Sequence, residues 1–546
     1  MTPRLPSEPP LTRRFAWRDA PLLPALALLT LLTAVVAAFS LRWELCWDAL
    51  DMNYLGLLIN KMGRAPYRDI FDPNMPGAML FHSLLTRIFG YSDFGSRVFD
   101  VLYLTALAAS TALLLRRFDW RVRWAGAVLY PWIYLARGEY VTLQRDHLLI
   151  LPIVWATTAA TSERWNKRPR ARFAAMGFFV GLAALLKPQA ALWLAVLAID
   201  DIGRRAEARA GWRDGARFAA PRVAAAGAGF AAPFAACLLW LWAVGGLSAF
   251  FAMARDWWPY HTKMFFYHGR FVYASGLNAW RARFGELPFR FPFVWLAVAG
   301  AALFGWINAR RDAASDDGRR AVVRLAAIGA ATFLISVVLV GQPHPYVWLP
   351  LGYFLTLLAS MGAQRPAARP RPRLDDWAPL GTLLALLALL ICPLFWPISF
   401  RQQCVGKPPQ FCMENKPRDI SAYLKAHAAP GDKAQFLDWF GGGTEAAWRA
   451  QIDTATRYYV DYQFYLRPSA PYVEALQTDF LDRLAASPPR FFIRITEGRN
   501  QFRYDAADLA AAGAFNDRLR NVVEANYDVA LRGEGFVILE RKPRAD

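Results

Sequence analysis

Repeated apolar runs of about the length needed to cross a bilayer are the feature that most constrains this fold. Of the 546 residues, 55% are hydrophobic, and long uncharged stretches recur between residues 20 and 398. The runs are 20–40, 92–115, 122–137, 147–162, 173–186, 189–200, 218–244, 289–309, 322–340, 346–363 and 377–398. The sequence therefore predicts a polytopic α-helical membrane protein with about 11 spans.

The positive charge of the chain predicts its orientation in the membrane. The formal net charge is +20, and the basic residues concentrate in alternate connections between the predicted spans. These basic segments are 116–123, 164–172, 204–213, 310–324 and 365–373. Because basic connections stay on the cytoplasmic side, we expect the amino terminus inside and the carboxyl-terminal region outside. A topological origin of this charge argues against a nucleic-acid partner and leaves the lipid bilayer as the expected one.

Two domains are predicted, because long apolar runs give way near residue 400 to shorter segments separated by Gly and Pro. The transmembrane domain is 1–399 and includes a long first outer loop at 41–91, and a small α/β domain outside the membrane is 400–546. In that second domain, strand-like runs at 490–495 and 535–539 alternate with helix-like runs at 419–428 and 505–512. The runs 173–186 and 189–200 are too short to cross upright, so we expect a helical hairpin between them.

The first outer loop carries carboxylates directly after the first predicted span. A charged group held at a membrane surface costs desolvation energy, and such groups usually have a function. Asp51 and Tyr54 are three residues apart, so a helix places them on one face. Proton abstraction from a hydroxyl needs a carboxylate or an imidazole, which makes Asp51 the first candidate for a general base and Asp48 the second. Alternatively, Asp48 or Asp51 is the N-cap of a helix, a position where aspartate is common.

Further along the loop, other acidic residues are candidates for binding substrate or a cation. Together with Asp48, Asp69 and Asp72 have the oxygen ligands that Mg²⁺ or Mn²⁺ would take. Arg68 and Asp69 are equally consistent with a simple ion pair at the membrane interface. The sequence leaves open whether a divalent cation is bound.

The loop resembles that of the GT-C membrane glycosyltransferases. The pattern runs from Asp51-x-x-Tyr54 through Gly63-Arg64-Ala65-Pro66-Tyr67-Arg68-Asp69 to Pro73-x-x-Pro76-Gly77. It is similar in particular to the bacterial group around protein O-mannosyltransferases and the lipid A aminoarabinose transferase. The segments Gln144-Arg145-Asp146-His147 and Lys187-Pro188-Gln189, the multi-span layout and the outer carboxyl-terminal domain extend the resemblance over most of the chain.

The resemblance implies a multi-pass enzyme of the bacterial inner membrane, with its carboxyl-terminal domain in the periplasm. It also implies a polyprenyl-phosphate sugar as donor and an acidic residue of the first loop as catalytic base. The commonest form of the family pattern has two adjacent acidic residues. Here the two are separated, as Asp48 and Asp51, and either is a candidate for the base.

Cations at the membrane surface are expected to bind the donor phosphate. The candidates are Lys187, Arg145, Arg270 and His344. Lys187 interrupts an apolar run, although snorkelling of its side chain to the interface would also explain that position. The other residues expected to contact substrate are Tyr54, Arg68, Asp69, Asp72, Asp146, His147, Gln189 and Tyr346.

The function predicted from the sequence is that of an inverting glycosyltransferase. It moves a sugar from a polyprenyl-phosphate donor to a hydroxyl acceptor on lipid A, a polysaccharide, a glycolipid or a protein. A transporter or flippase of lipid-linked sugars is the first alternative, and it predicts ionisable groups buried in the middle of spans. A non-catalytic assembly partner for lipid-linked sugars is the second.

Overall fold

The architecture comes from a computed structural model of the chain. It describes residues 22–45, 47–165, 167–206, 212–264, 292–312, 316–340, 345–364, 415–438, 441–496 and 504–543. The predicted span at 377–398 and the predicted domain boundary at 399–400 lie outside the described residues, as do Arg270 and His344.

Helices make up the amino-terminal part of the fold. They are α1 (Leu22–Ser40), α2 (Trp47–Asn60), α3 (Pro76–Phe89), α4 (Asp93–Leu114), α5 (Trp120–Leu135), α6 (Arg145–Leu148), α7 (Ile150–Thr161), α8 (Pro169–Leu186), α9 (Leu192–Ala206), α10 (Trp212–Ala243), α11 (Leu247–Ala252), α12 (Pro292–Asp312), α13 (Asp317–Val340) and α14 (Leu349–Ser360). Short 3₁₀ turns at Glu139–Val141, Glu163–Trp165, Pro188–Ala191, Pro345–Trp348 and Met361–Ala363, and a π turn at Met253–Trp257, join some of them.

Six helical segments in the described part of the chain are long and apolar enough to cross a membrane. They are Leu22–Ser40, Asp93–Leu114, Pro169–Leu186, Arg217–Ala243, Asp317–Val337 and Tyr346–Ala363. The prediction of a polytopic helical membrane protein is confirmed. The count of about 11 spans stays a prediction.

Close approach of α8 and α10 depends on small residues. A Cβ added at Gly177 would lie 2.0 Å from the carbonyl oxygen of Ala226, and one at Gly229 would lie 2.0 Å from that of Ala174. Without side chains at these glycines the two backbones come into contact, as is common where membrane helices associate. This contact fixes α8, and with it Lys187 at its carboxyl end.

The pair α8 and α9 is longer than the apolar runs predict. Helix α8 already begins at Pro169, and α9 continues to Ala206. Beyond the apolar runs, the guanidinium of Arg172 and the carboxylate of Asp201 form a buried ion pair at 2.5 Å. Because each charge has a partner there, the two helices extend past their apolar portions.

The carboxyl-terminal part is an α/β domain. Its helices are α15 (Lys416–His427), α16 (Gly443–Ala450), α17 (Tyr462–Tyr465), α18 (Pro471–Ala486) and α19 (Ala506–Asn526). Its strands are β1 (Lys433–Leu437), β2 (Asp453–Thr454), β3 (Phe491–Ile495), β4 (Tyr527–Gly533) and β5 (Phe536–Arg541). The sheet order is β2-β1-β3-β5-β4, with β1 parallel to β2 and β3, and β5 antiparallel to β3 and β4.

This domain packs directly on the first outer loop. The hydroxyl of Tyr54 donates to the Ile452 carbonyl at 3.0 Å, and the guanidinium of Arg64 makes two bonds to the Asp453 carboxylate at 3.0 and 2.9 Å. Buried apolar residues of α2 and of the domain belong to one continuous hydrophobic cluster. Burial of that shared surface holds the domain against the loop.

Candidate active site

Asp48 and Asp51 lie in the first two turns of α2. Carboxylates are favoured there because the amino-terminal end of a helix carries partial positive charge. Asp48 accepts a hydrogen bond from Arg145 Nη2 at 3.1 Å, and the two side chains are 20% and 19% exposed. Asp51 is partly exposed as well. Both carboxylates can therefore be reached by a ligand.

A second ion pair lies next to the first. Lys187 follows α8, and its Nζ is 2.5 Å from the Asp146 carboxylate on α6. The same Nζ lies 5.8 Å from the ring centroid of Tyr346, within the range of a cation–π contact. Asp146 adjoins Arg145 in the chain, and Arg145 contacts Asp48. Predicted site residues from three distant segments, at 145–146, 187 and 346, therefore meet near Asp48.

The backbone just before Arg145 is held in a rare conformation. Leu143 has φ 53°, a region that costs a bulky residue about 1–3 kcal/mol. The Leu143 amide donates to the Tyr134 hydroxyl at 3.0 Å, which stabilises this conformation. Gln144, which is 1% exposed, follows, and neither end of its amide has a hydrogen-bond partner among the described residues. A strained backbone and an unpartnered amide are typical of functional segments.

The environment of Asp51 includes the carboxyl-terminal domain. Thr444 and Asp438 of that domain are among the groups that act on the Asp51 carboxylate. Loss of hydration among the surrounding protein atoms raises the pKa of Asp51 well above its usual range, and the charges of Asp48, Asp72 and Asp438 raise it further. A carboxylate with a raised pKa is a stronger base once it is ionised.

Asp72 also lies where the first loop meets the carboxyl-terminal domain. The Tyr459 hydroxyl donates to Asp72 Oδ2 at 2.5 Å, and the Asn74 amide donates to Asp72 Oδ1 at 2.8 Å. Burial raises the pKa of Asp72, and these two hydrogen bonds oppose that shift. Asp72 is thus held in one orientation.

Other predicted site residues are already committed to neighbours. Tyr54 is buried, with its hydroxyl bonded to the Ile452 carbonyl. Arg68, which is 59% exposed, is paired with Asp69 at 2.8 Å, and this pairing lowers the pKa of Asp69. His147 is buried, 3.0 Å from the Tyr130 hydroxyl through Nδ1. Gln189, by contrast, is exposed in the 3₁₀ turn after Lys187.

Several residues of this site are missed by sequence reasoning. They belong to the carboxyl-terminal domain and are Asp438, Thr444, Tyr459, Asp461 and Tyr462. The sequence contains one signal for Asp438 and Thr444. Asp438 follows a strand, and three glycines at 441–443 lie between it and Thr444. The Asp438 carboxylate accepts from the Gly441 and Gly443 amides at 2.6 and 2.8 Å, and this turn sets the start of α16.

The described part of the protein contains no ready-made binding site for a divalent cation. No group of three or more His, Cys, Asp or Glu side chains there is arranged to hold a metal ion. Asp69 is paired with Arg68 and accepts a hydrogen bond from the Ala65 amide. Asp69 is therefore not shared with Asp48 and Asp72 as a ligand set.

No protein-family model matches the chain, and no curated protein matches its sequence. Among solved structures, ArnT from Cupriavidus metallidurans bound to undecaprenyl phosphate is similar, with 12% identity and a TM-score of 0.49. The match covers 94% of this chain and 97% of that one. The oligosaccharyltransferase AglB from Archaeoglobus fulgidus, in complex with an inhibitory peptide and a dolichol-phosphate, has 13% identity and a TM-score of 0.43. That match covers 98% of this chain and 75% of AglB.

Proposed function

We propose that the protein is a membrane glycosyltransferase that uses a polyprenyl-phosphate sugar and an acceptor hydroxyl on the outer side of the inner membrane. One observation carries the proposal. The partly exposed Asp48, on the same helix as Asp51, is paired with Arg145, and the next residue, Asp146, is paired with Lys187. Transfer of a sugar from a phosphate needs these two kinds of group together, a base for the hydroxyl and positive charge for the departing phosphate.

In the proposed reaction the acceptor oxygen attacks the anomeric carbon from the side opposite the phosphate. Asp51 takes the proton of the acceptor hydroxyl as the new carbon–oxygen bond forms. The bond between the anomeric carbon and the phosphate oxygen breaks, and its electron pair leaves with the lipid phosphate. The configuration at the anomeric carbon inverts. Asp48, one helical turn away, is the alternative base.

The cations change partners when donor binds. In the structure Arg145 is bonded to Asp48 and Lys187 to Asp146. A phosphate presents more negative charge than one carboxylate and accepts two parallel bonds from a guanidinium. When the phosphate binds Arg145 and Lys187, Asp48 loses its cationic partner and remains next to Asp51. That added negative charge favours proton uptake by the pair at the moment of transfer.

Turnover of defined donors tests the proposal. The purified protein in lipid nanodiscs is incubated with radiolabelled polyprenyl-phosphate sugars and a membrane extract, and transfer to extract components is followed by chromatography. We expect labelled product and free polyprenyl phosphate in equal amounts. Movement of intact donor across a vesicle membrane without loss of its sugar would instead support the transporter alternative.

A further inference from the structure

One buried tyrosine holds the chain on both sides of Arg145 and Asp146. The Leu143 amide donates to the Tyr134 hydroxyl at 3.0 Å, and the Tyr134 ring stacks on the His147 ring with 3.9 Å between their centroids. Positions just before and just after the two charged site residues thus rest on one side chain of α5. This side chain therefore determines where the charged segment lies.

The backbone conformation that this tyrosine stabilises is one that leucine rarely adopts. Leu143 has φ 53°, in the left-handed region, where the Cβ of any residue other than glycine is crowded. A leucine without this hydrogen bond favours a negative φ, which would turn the following residues in another direction. The bond from the Leu143 amide to Tyr134 therefore keeps Arg145 directed at Asp48, to which it is bonded at 3.1 Å.

The Tyr134 hydroxyl is itself fixed by a buried ion pair on α4. It donates to Asp100 Oδ1 at 2.7 Å, and Arg97 Nη1 lies 3.9 Å from Asp100 Oδ2. Arg97 is 0% exposed and Asp100 is 1% exposed, so both charges have lost their hydration. A pair of this kind seldom stabilises a fold more than apolar residues of similar volume would, because desolvation offsets the attraction. Its contribution here is the orientation of the Tyr134 hydroxyl.

The same arginine holds the chain that leads into α2. Arg97 Nε donates to the Trp43 carbonyl at 3.1 Å, and Arg97 Nη2 donates to the Glu44 carbonyl at 2.6 Å. A planar guanidinium has enough donors to bond to two successive carbonyls and still face a carboxylate. Helix α2 follows and carries the two candidate bases. One buried network therefore ties the helix with the candidate bases to the segment that precedes α6.

We infer that Tyr134 is a positioning residue, which acts through the Leu143 backbone to hold Arg145 where the donor phosphate departs. The inference rests on the proposed function, in which Arg145 stabilises that phosphate.

Placement of the cation matters because a charge stabilises a departing group only if it is already in position when the bond breaks. A displacement of about 1 Å can lower a rate by ~10²-fold. The Tyr134 hydroxyl is buried and bonded to both Asp100 and the Leu143 amide. Its effect on the reaction is therefore expressed through the position of Arg145 rather than through contact with the substrate.

Turnover of labelled donor by the variant Tyr134→Phe tests the inference first. Phenylalanine keeps the ring on His147 but removes the acceptor of the Leu143 amide. We expect kcat/KM for the donor to fall roughly 10- to 100-fold. Tyr353→Phe is the matched control, since the Tyr353 hydroxyl is also buried and is 3.1 Å from the Thr111 hydroxyl of α4, and this variant should keep the wild-type rate. Wild-type kinetics in Tyr134→Phe would overturn the inference.

A second substitution separates positioning from a general loss of stability. Glycine adopts a positive φ about as readily as a negative one, so a chain with Leu143→Gly depends less on the hydroxyl to hold the segment. In that background, Tyr134→Phe should lower kcat/KM by less than about 3-fold. Equal losses in the two backgrounds would overturn the inference, because the effect would then not pass through Leu143. A loss of the same size in Tyr353→Phe would also overturn it, while wild-type turnover still supported the proposed function.

Hydrogen exchange provides a readout that needs no turnover. Mass spectrometry with fragmentation resolves exchange at the Leu143 amide of the full-length protein in nanodiscs. That exchange should be about 10-fold faster in Tyr134→Phe than in the wild type and in Tyr353→Phe. Equal exchange rates in the three proteins would overturn the inference whatever the turnover. Faster exchange in Tyr134→Phe together with an inactive wild type would instead overturn the proposed function and support the hold of Tyr134 on the segment.

Discussion

At the scale of single residues, the structure separates the surroundings of the two candidate bases. Asp48 is paired with Arg145 at 3.1 Å, whereas Asp51 faces Asp48, Asp72 and Asp438. A carboxylate surrounded by others holds a proton more tightly, which suits proton abstraction. A carboxylate bonded to the proposed phosphate cation is better placed to respond to donor binding.

Replacement of Asp51 tests its role as base. Asn keeps the shape of the side chain but does not accept the proton, so Asp51→Asn should lower kcat by ~10²–10⁴-fold with donor binding nearly unchanged. Steady-state kinetics with labelled donor, and donor binding measured separately, give the two quantities. Asp48→Asn is the companion variant. If only Asp48→Asn abolished activity, Asp48 would be the base. If both variants kept full activity, the first loop would not supply the base.

The activity of the wild type should also depend on pH in a set direction. Because loss of hydration and neighbouring carboxylates raise the pKa of Asp51, the ionised base accumulates only as pH rises through that raised value. An exposed aspartate has a pKa of ~3.9 and is fully ionised once the pH is well above that value. The rate of this protein should still increase with pH in that higher range. A rate already at its plateau at pH ~5 would contradict the assignment of the base to Asp51.

Lys187 is the second residue whose role can be measured directly. Loss of a charge-assisted bond to phosphate should weaken donor binding by roughly 1.5–3 kcal/mol, so Lys187→Ala should raise the donor Kd by about 10- to 100-fold. Binding of labelled donor to protein in nanodiscs measures this. Arg324→Ala is the control, since Arg324 is paired with Asp200 on α9 rather than with site residues. An unchanged Kd in Lys187→Ala would leave snorkelling as its role.

At the scale of elements, sequence patterns predict the strands and helices with the clearest periodicity. The runs 490–495 and 535–539 correspond to β3 and β5, whose residues are mostly buried. Strand β1 is harder to predict because it is short and contains Gln435. That side chain is buried because its amide bonds to the Phe436 and Tyr458 carbonyls, which only the tertiary structure provides. Helix α19 runs far past the predicted end at 512, through Gly513 to Asn526.

Asp461, just before α17, makes the stability of the carboxyl-terminal domain depend on pH. Burial raises the pKa of Asp461 to about 8, and Asp438 adds to the shift. In the unfolded chain an aspartate has a pKa near ~3.9, so the folded state binds more protons between these values. The resulting stability is present in full below pH ~3.9 and is lost as pH rises through about 8.

Asp461→Asn should therefore flatten this dependence. The variant stays neutral at every pH, so its melting temperature should exceed that of the wild type at pH ~9 by more than at pH ~6. Thermal unfolding of the full-length protein in detergent, followed by proteolysis of the domain, provides the measurement. Asp482→Asn on the exposed side of α18 serves as control. A constant difference between Asp461→Asn and wild type over this range would show that Asp461 is ionised in the fold.

At the scale of the whole molecule, the contact between the two predicted domains is the main feature that the sequence does not predict. Composition alone separates 400–546 from the spans, and the described part of that region is indeed an α/β unit. Its partner is not visible in the sequence because contacts such as Arg64 with Asp453 join positions 389 residues apart. No local pattern reports such a pairing, and for this reason Thr444 and Tyr459 are absent from the predicted site.

The same contact makes the membrane orientation testable. The first loop contacts the carboxyl-terminal domain, whereas basic residues of the connections between helices pair with acidic residues there. Arg117 bonds there to Glu163 and Asp316, at 2.9 and 3.1 Å. Basic ends are expected in the cytoplasm, so the domain and the site should be outside. An enzyme reporter that matures only outside should be active when fused after the carboxyl terminus and inactive when inserted beside Arg319. A reporter that matures only inside should give the reverse pattern. If the first reporter were active only beside Arg319, the proposed site would face the cytoplasm, where nucleotide sugars would be available and a lipid-phosphate donor would lose its rationale.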